Sequence, residues 1–224
     1  MYRSLRSNCL IIKNFNYSTH RKKITNELNA IIHRIDYRYF KNDTNETFKM
    51  RLFICSLCIL LITACSTTYP NQSVTGKTFP SISGQTLEQK NINIPKDFDD
   101  EFTLLLIGYK QNSQFDIDRW LIGLDMTKTN VAVYELPTIQ GLFPRIFSAM
   151  IDNGMRAGIP HPLWKSVVTV YKDGDKIQVF TGNENPNNTR VILLNREGNI
   201  LYFYDEGFSV LALNHLNLTL KANQ

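Results

Sequence analysis

Beyond residue 65 this chain has no cysteine; its four cysteines are Cys9, Cys55, Cys58 and Cys65. That absence excludes from residues 66–224 a disulfide framework, a thiol nucleophile and a cysteine-ligated metal. Histidine is also scarce there, with only His161 and His215, far apart in sequence. No metal site and no cofactor is therefore expected. Internal repeats and low-complexity tracts are missing. No apolar run reaches the roughly 20 residues of a spanning helix. The uncharged stretch from Leu52 to Ala64 has 13 residues and ends against the polar Ser66, Thr67 and Thr68.

What that stretch does resemble is a secretory signal: Met50 and Arg51 first, then an apolar run. Its close, Leu61-Ile62-Thr63-Ala64-Cys65, resembles the lipobox of bacterial lipoproteins. The resemblance implies cleavage before Cys65 and a diacylglyceryl anchor on that residue, which would retain the new N-terminus at a bilayer. Residues 50–64 are then a signal peptide. The Cys-x-x-Cys of Cys55 and Cys58 lies inside this apolar run, where neither a thiolate nor a metal is tolerable, so it does not signal redox chemistry. Ser66 after the anchor cysteine favours the outer over the inner membrane by analogy with bacterial sorting rules, with the domain facing the periplasm. Residues 1–49 would precede a signal that belongs at an N-terminus, and are read as a mis-assigned leader. The alternative is an amphipathic extension, with Ile24, Leu28, Ile31, Ile32 and Ile35 at helical spacing beside Lys22, Lys23 and Arg34.

Charge divides the same way. The net charge of +5 suggests a nucleic-acid partner, yet residues 1–49 hold 10 Lys and Arg against 4 Asp and Glu, whereas residues 65–224 hold 14 against 16. The remaining domain is near −2 and carries no footprint for a phosphate backbone. No nucleic-acid partner is expected. Its 160 residues are enough for one core burying roughly 70% of the unfolded surface, without disulfides.

Residues 65–75 are polar, contain Pro70 and read as a tether, leaving residues 76–224 as the domain. Short strands are expected over Thr78–Ile82, at Leu87 and over Asn91–Ile94, divided by Gly84 and closed by Pro95 and the acidic Asp97, Asp99, Asp100 and Glu101. Thr103–Tyr109 is a continuous apolar run, the pattern of a strand buried on both faces. Ile117, Trp120, Leu121 and Leu124 then mark a helix. Val131–Leu136 predicts a second strand, and Phe143, Phe147, Met150 and Ile151 a second helix, stopped by Gly158 and Pro160. Hairpins are expected from Val167–Tyr171 with Ile177–Phe180 about Asp173 and Gly174, and from Val191–Leu194 with Ile200–Tyr204. Val210, Leu213, Leu216 and Leu220 close the chain at helical spacing. The class is α/β, a βαβ unit followed by a ββα unit, with an N-terminal strand or hairpin extension before them.

That order, with the hairpin from Val191 to Tyr204, resembles the thioredoxin-like superfamily over most of residues 76–220. The resemblance implies a central mixed sheet flanked by helices. Redox members carry their cysteines just after the strand that corresponds to Thr103–Tyr109, where this chain reads Lys110, Gln111, Asn112, Ser113 and Gln114. They place a cis-proline before the hairpin, where this chain has Thr189. Thiol oxidoreductase and peroxidase chemistry are accordingly not expected. A fainter resemblance is to the thioredoxin-like assembly factor of the mitochondrial ATP synthase, on Tyr134-Glu135-Leu136, Arg145, Arg156 before Ile159-Pro160, and Val167 to Tyr171. It implies a membrane-tethered assembly role.

Two functional classes follow. The first is a non-catalytic protein-binding module whose loops Leu136–Pro144 and Gly154–Trp164, rich in apolar and turn residues, contact a protein partner. The second is a cysteine-independent enzyme or small-ligand carrier with a cleft near Gln114, Glu135, Arg145 and Arg156. His161 and Trp164 are further candidate contacts, and no residue is assigned a catalytic role. Asp116, Asp118 and Arg119 with Glu135 read as a solvated, ion-paired helix face at the sheet's C-terminal edge.

Overall fold

A computed structural model describes residues 68–224. The leader, the signal segment and Cys65 lie outside the described residues. The centre of the domain is strand β3, Phe102–Gly108, preceded by the hairpin strands β1, Ile82–Thr86, and β2, Asn91–Ile94. Helix α1, Gln114–Met126, leads to β4, Ala132–Pro137. Two helices follow, α2, Leu142–Ile146, and α3, Ser148–Gly158, then the short β5, Val168–Thr169, and α4, Gly174–Thr181. Strands β6, Arg190–Asn195, and β7, Ile200–Tyr204, form a hairpin before α5, Val210–Asn223.

The main sheet runs β4-β3-β6-β7. β4 is parallel to β3, whereas β6 is antiparallel to β3 and β7 to β6. This strand order with a helix after β3, helices after β4 and a last helix after β7 is the thioredoxin-like fold, as expected. A second sheet, β2-β1-β5, joins its edge through parallel bridges Glu135–Val167 and Thr138–Val170. The N-terminal hairpin extension is therefore present.

Alternation along the central strands sends side chains to two cores. Leu104, Leu106, Val191 and Leu193 face α1 and α5, where Ile117, Trp120, Leu124, Leu213 and Leu216 complete one cluster. Leu105, Ile107, Ile192 and Leu194 face the other way, onto Phe79 before the hairpin and Ile82, Ile94, Val168 and Ile177 from the hairpin, β5 and α4. Two-sided burial is why the strand sequences are unbroken apolar runs. α5 starts where Ser209 caps it, its hydroxyl accepting from the Ala212 amide at 3.0 Å.

Several boundaries differ from expectation. Ile177–Phe180 is not a strand but part of α4. Its buried positions Gly174, Ile177, Gln178 and Thr181 have helical spacing, yet three of the four are not apolar, so hydrophobicity hides the period. The partner strand expected over Val167–Tyr171 contracts to β5 with flanking bridges, because α4 leaves it without a hairpin mate. The helix expected through Phe143–Ile151 breaks into α2 and α3 around Phe147. The first strand lies at Ile82–Thr86, not Thr78–Ile82, since it pairs with β2 about the turn after Thr86.

The segment read as a tether is attached to the domain from Tyr69 onward. The Tyr69 amide donates to Asn183 Oδ1 at 2.6 Å, and the Asn183 amide returns a bond to the Tyr69 carbonyl at 2.9 Å. The Gln72 amide donates to the Thr181 carbonyl, Asn71 Oδ1 accepts from the Glu184 amide, and Val74 is fully buried in the core. Polar composition predicted a free linker because its side chains are polar. Its backbone and one valine make the attachment.

Candidate functional site

Register places the ends of several elements together. Gly108 pairs with Pro137, Ile107 with Arg190, and Val191 with Tyr204, so the start of α1, the loop before β6 and the loop after β7 share one pole of the sheet. In redox members of the fold this is where the reactive cysteines stand. Here Gln111–Ser113 form a single 3-10 turn, and the buried Ser113 hydroxyl donates to the Lys110 carbonyl at 2.6 Å. That hydroxyl is held inward and is not presented as a nucleophile.

The chemistry of the pole lies behind this turn. Asp116 is buried, and its carboxylate accepts from the Thr189 amide at 2.9 Å and from the Phe208 amide at 2.7 Å. It thereby ties the first turn of α1 to both neighbouring loops, in the position where a helix N-terminus favours a negative charge. Arg190 is wholly buried, with Nη1 donating to the carbonyls of Asn185 and Asn188 at 2.7 and 2.9 Å and Nη2 to Asn71 Oδ1 at 3.4 Å. Its guanidinium carbon stands 4.7 Å from the centre of the Tyr109 ring. The Tyr109 hydroxyl lies 2.5 Å from that of Thr181. Burial pushes the Tyr109 phenol well above its ordinary range, although Thr181 and Arg190 oppose the shift. Burial likewise raises the Asp205 carboxyl against the pull of Arg190, and lowers the Arg190 guanidinium against Tyr109 and Asp205. Among the described residues, Arg190 Nε, Asp205 Oδ2 and the Thr189 hydroxyl are buried without hydrogen-bond partners.

Of the residues singled out from sequence, Gln114 and Glu135 come together, with Gln114 Nε2 3.4 Å from Glu135 Oε2 and 3.1 Å from Asp118 Oδ1. Asp116 departs from the solvated face expected for it, because the second residue after Gln114 turns inward. Arg145 donates to the carbonyls of Tyr171 and Lys172 and pairs with Asp175 at 3.5 Å. Arg156 donates to the Leu87 carbonyl at 2.7 Å and to Asn153 Oδ1 at 2.8 Å, and lies over the Trp164 ring at 5.9 Å. Trp164 in turn donates to the Ile159 carbonyl, and its ring meets that of His161 at 4.5 Å. Arg156, His161 and Trp164 thus form one surface at the end of α3, while Gln114 and Glu135 form another beside α1. The bonds of both arginines go to backbone and side-chain acceptors of the domain, which fixes where each guanidinium stands.

Close to the Arg156 surface, Tyr171 donates to the buried Asp152 at 2.8 Å, and burial together with that carboxylate pushes the phenol well above its usual range. Between the two loops proposed as contacts, Ile146, Phe147 and Met150 are exposed. At the opposite pole an open groove of about 450 Å³ is lined by Glu101, Phe102, Arg196, Glu197 and Leu201. Among the described residues no group of three or more His, Cys, Asp or Glu is placed to hold a metal.

Sequence reasoning missed Arg190, Asp205, Tyr109 and Asn71. The available signal was a charged residue directly before the wholly apolar run Val191–Leu194, at a position that strand pairing would bury.

Neither a protein-family model nor a curated protein sequence matches the chain. Solved structures similar to it include copper-bound Sco1 of yeast, at 10% identity over 67% of this chain and 95% of that one, with a TM-score of 0.47. The thiol peroxidase of Chromobacterium violaceum is 10% identical over 70% of this chain and 93% of that one, with a TM-score of 0.44. The exposed lipoprotein thioredoxin Etrx1 of Streptococcus pneumoniae is 8% identical over 62% and 98%, with a TM-score of 0.43. The fold assignment itself rests on the strand order and register of this chain.

Proposed function

We propose that the protein is a lipoprotein anchored through Cys65 to the periplasmic face of a bacterial membrane, the outer one by its Ser66, whose thioredoxin-like domain acts as a protein-binding or assembly module without redox chemistry. The observation that carries the non-redox reading is the turn after β3. Lys110 to Gln114 supplies no sulfur, Ser113 is bonded inward, and the Thr189 amide of the facing loop is taken by Asp116. A turn without a thiolate has no sulfur nucleophile to offer a disulfide or peroxide.

Support for binding comes from the exposed Ile146, Phe147 and Met150, flanked by the loops Leu136–Pro144 and Gly154–Trp164. Exposed apolar side chains in a group are a feature of contact surfaces. The resemblance to the mitochondrial ATP synthase assembly factor on Arg145, Arg156 and the segment Val167 to Tyr171 agrees with such a role. The test has two parts. Palmitate labelling of the full chain is expected, and is expected to vanish in Cys65→Ala; equal labelling of both refutes the anchor. Crosslinking of the native protein in its membrane is expected to capture a defined protein partner through α2 and α3, reduced by Phe147→Glu. Recovery of the monomer alone refutes the assembly role.

A further inference from the structure

If Cys65 carries the anchor, the attachment of Tyr69 to the domain dictates which pole faces the lipid. Only three residues separate Cys65 from Tyr69. Four extended steps span at most about 14 Å. Tyr69 is not the start of a free arm, because its amide and carbonyl are bound to Asn183, and Asn71 is held by Glu184 and Arg190. The polypeptide therefore leaves the domain at the pole formed by the loop before β6, and that pole cannot move far from the bilayer surface.

Contacts on the same pole lead from the exit point to exposed apolar side chains. Arg190 holds Asn71; the adjacent Thr189 donates to Asp116; Asp116 also holds Phe208. Phe115, next to Asp116, is 69% exposed, and Val210 and Leu211, just after Phe208, are 65% and 66% exposed. We infer that Phe115, Val210 and Leu211 rest in the interface of the bilayer that holds Cys65, so that the domain is docked in one orientation. The inference rests on the anchoring reading above and adds the docked face to it. Charge does not select the occupant: Lys110 is opposed by Glu184 and Glu206 on the exposed loops around this pole. Adhesion is accordingly apolar and independent of anionic lipid content.

The residues of the proposed protein-contact surface, Ile146, Phe147, Arg156 and Trp164, lie on other elements than Phe115, Val210 and Leu211. The test places the photo-crosslinker p-benzoylphenylalanine at Phe115, Leu211 or Met126 of the full chain in cells labelled with radioactive phospholipid precursor. Met126 is a control on α1 more exposed than Phe115 or Leu211, 78% accessible and about 16 Å along the helix from Phe115. The expected result is a lipid adduct at least fivefold stronger at positions 115 and 211 than at 126. Equal lipid adducts at all three positions overturn the orientation, as do protein adducts at 115 and 211 in place of lipid. Palmitate labelling of the same samples separates the two readings: lipid on Cys65 without preferential adducts removes only the docking, whereas no lipid on Cys65 removes both.

Discussion

Asp116 shows how one side chain decides the conformation of a whole pole. Its two acceptors hold amides from loops 73 and 92 residues away, and neither loop has other regular structure at that point. Hydrogen bonds to a buried charged group contribute about 1.5–3 kcal/mol each, and losing the carboxylate also strands two donors. Asp116→Ala is expected to lower stability by about 3 kcal/mol in urea denaturation, with Asp116→Asn recovering part of the loss. A change below about 1 kcal/mol would show that the loops keep their shape without it. Arg190 is a different case: two carbonyls, Asn71 and the Tyr109 ring hold its buried guanidinium, and the Asp205 carboxylate favours its charge although Asp205 Oδ2 has no hydrogen-bond partner among the described residues. Neither residue was legible as a site residue. Asp116 read as a helix-surface acid and Arg190 was not singled out at all, because a sequence gives spacing but not depth.

Among the elements, the N-terminal segment and α4 depend on a close approach at Gly182. Its φ is +78°, and a Cβ there would run into the Pro70 carbonyl and the Asn71 backbone. Gly182→Ala therefore has two costs, a strained left-handed backbone of about 1 kcal/mol and displacement of residues 69–72. The expected outcome is faster hydrogen exchange at the Gln72 and Asn183 amides and loss of more than about 2 kcal/mol. Gly76→Ala supplies the comparison, since Gly76 has a similar φ of +80° but open space around it. If both variants behave alike, backbone strain and not the clamp explains the effect. β3 and β6 were readable within about one residue because burial on both faces writes itself as an apolar run, and the half-buried edge strand β7 was readable from its aliphatic and aromatic residues after the turn at Gly198. α4 was not, because apart from Ile177 its inward face is made of glycine, glutamine and threonine.

For the whole molecule the question is where the folded domain begins. Composition placed the boundary at residue 76, but Val74 lies in the core and the chain is bonded to the domain from Tyr69. Burying one valine contributes about 1.5–3 kcal/mol. A chain beginning at residue 68 is expected to be at least about 3 kcal/mol more stable than one beginning at residue 76, with a steeper denaturant dependence from the extra buried surface. Equal midpoints and slopes would mean that residues 69–75 only lie on the surface.

From sequence alone came the α/β order, the unbroken central strands, the lack of cysteine after Cys65 and the separation of a basic stretch, residues 1–49, from the nearly neutral residues 65–224. Each is a local property: periodicity, composition, or the presence of an atom. Tertiary structure alone decided that Asp116 and Arg190 are interior, that α4 is a helix and that the polar tail after Thr68 is part of the domain. The interior places of Asp116 and Arg190 and the attachment of the tail depend on donors and acceptors that meet across more than 70 residues, and no window of sequence contains both partners; α4 was hidden because the residues it buries are mostly not apolar.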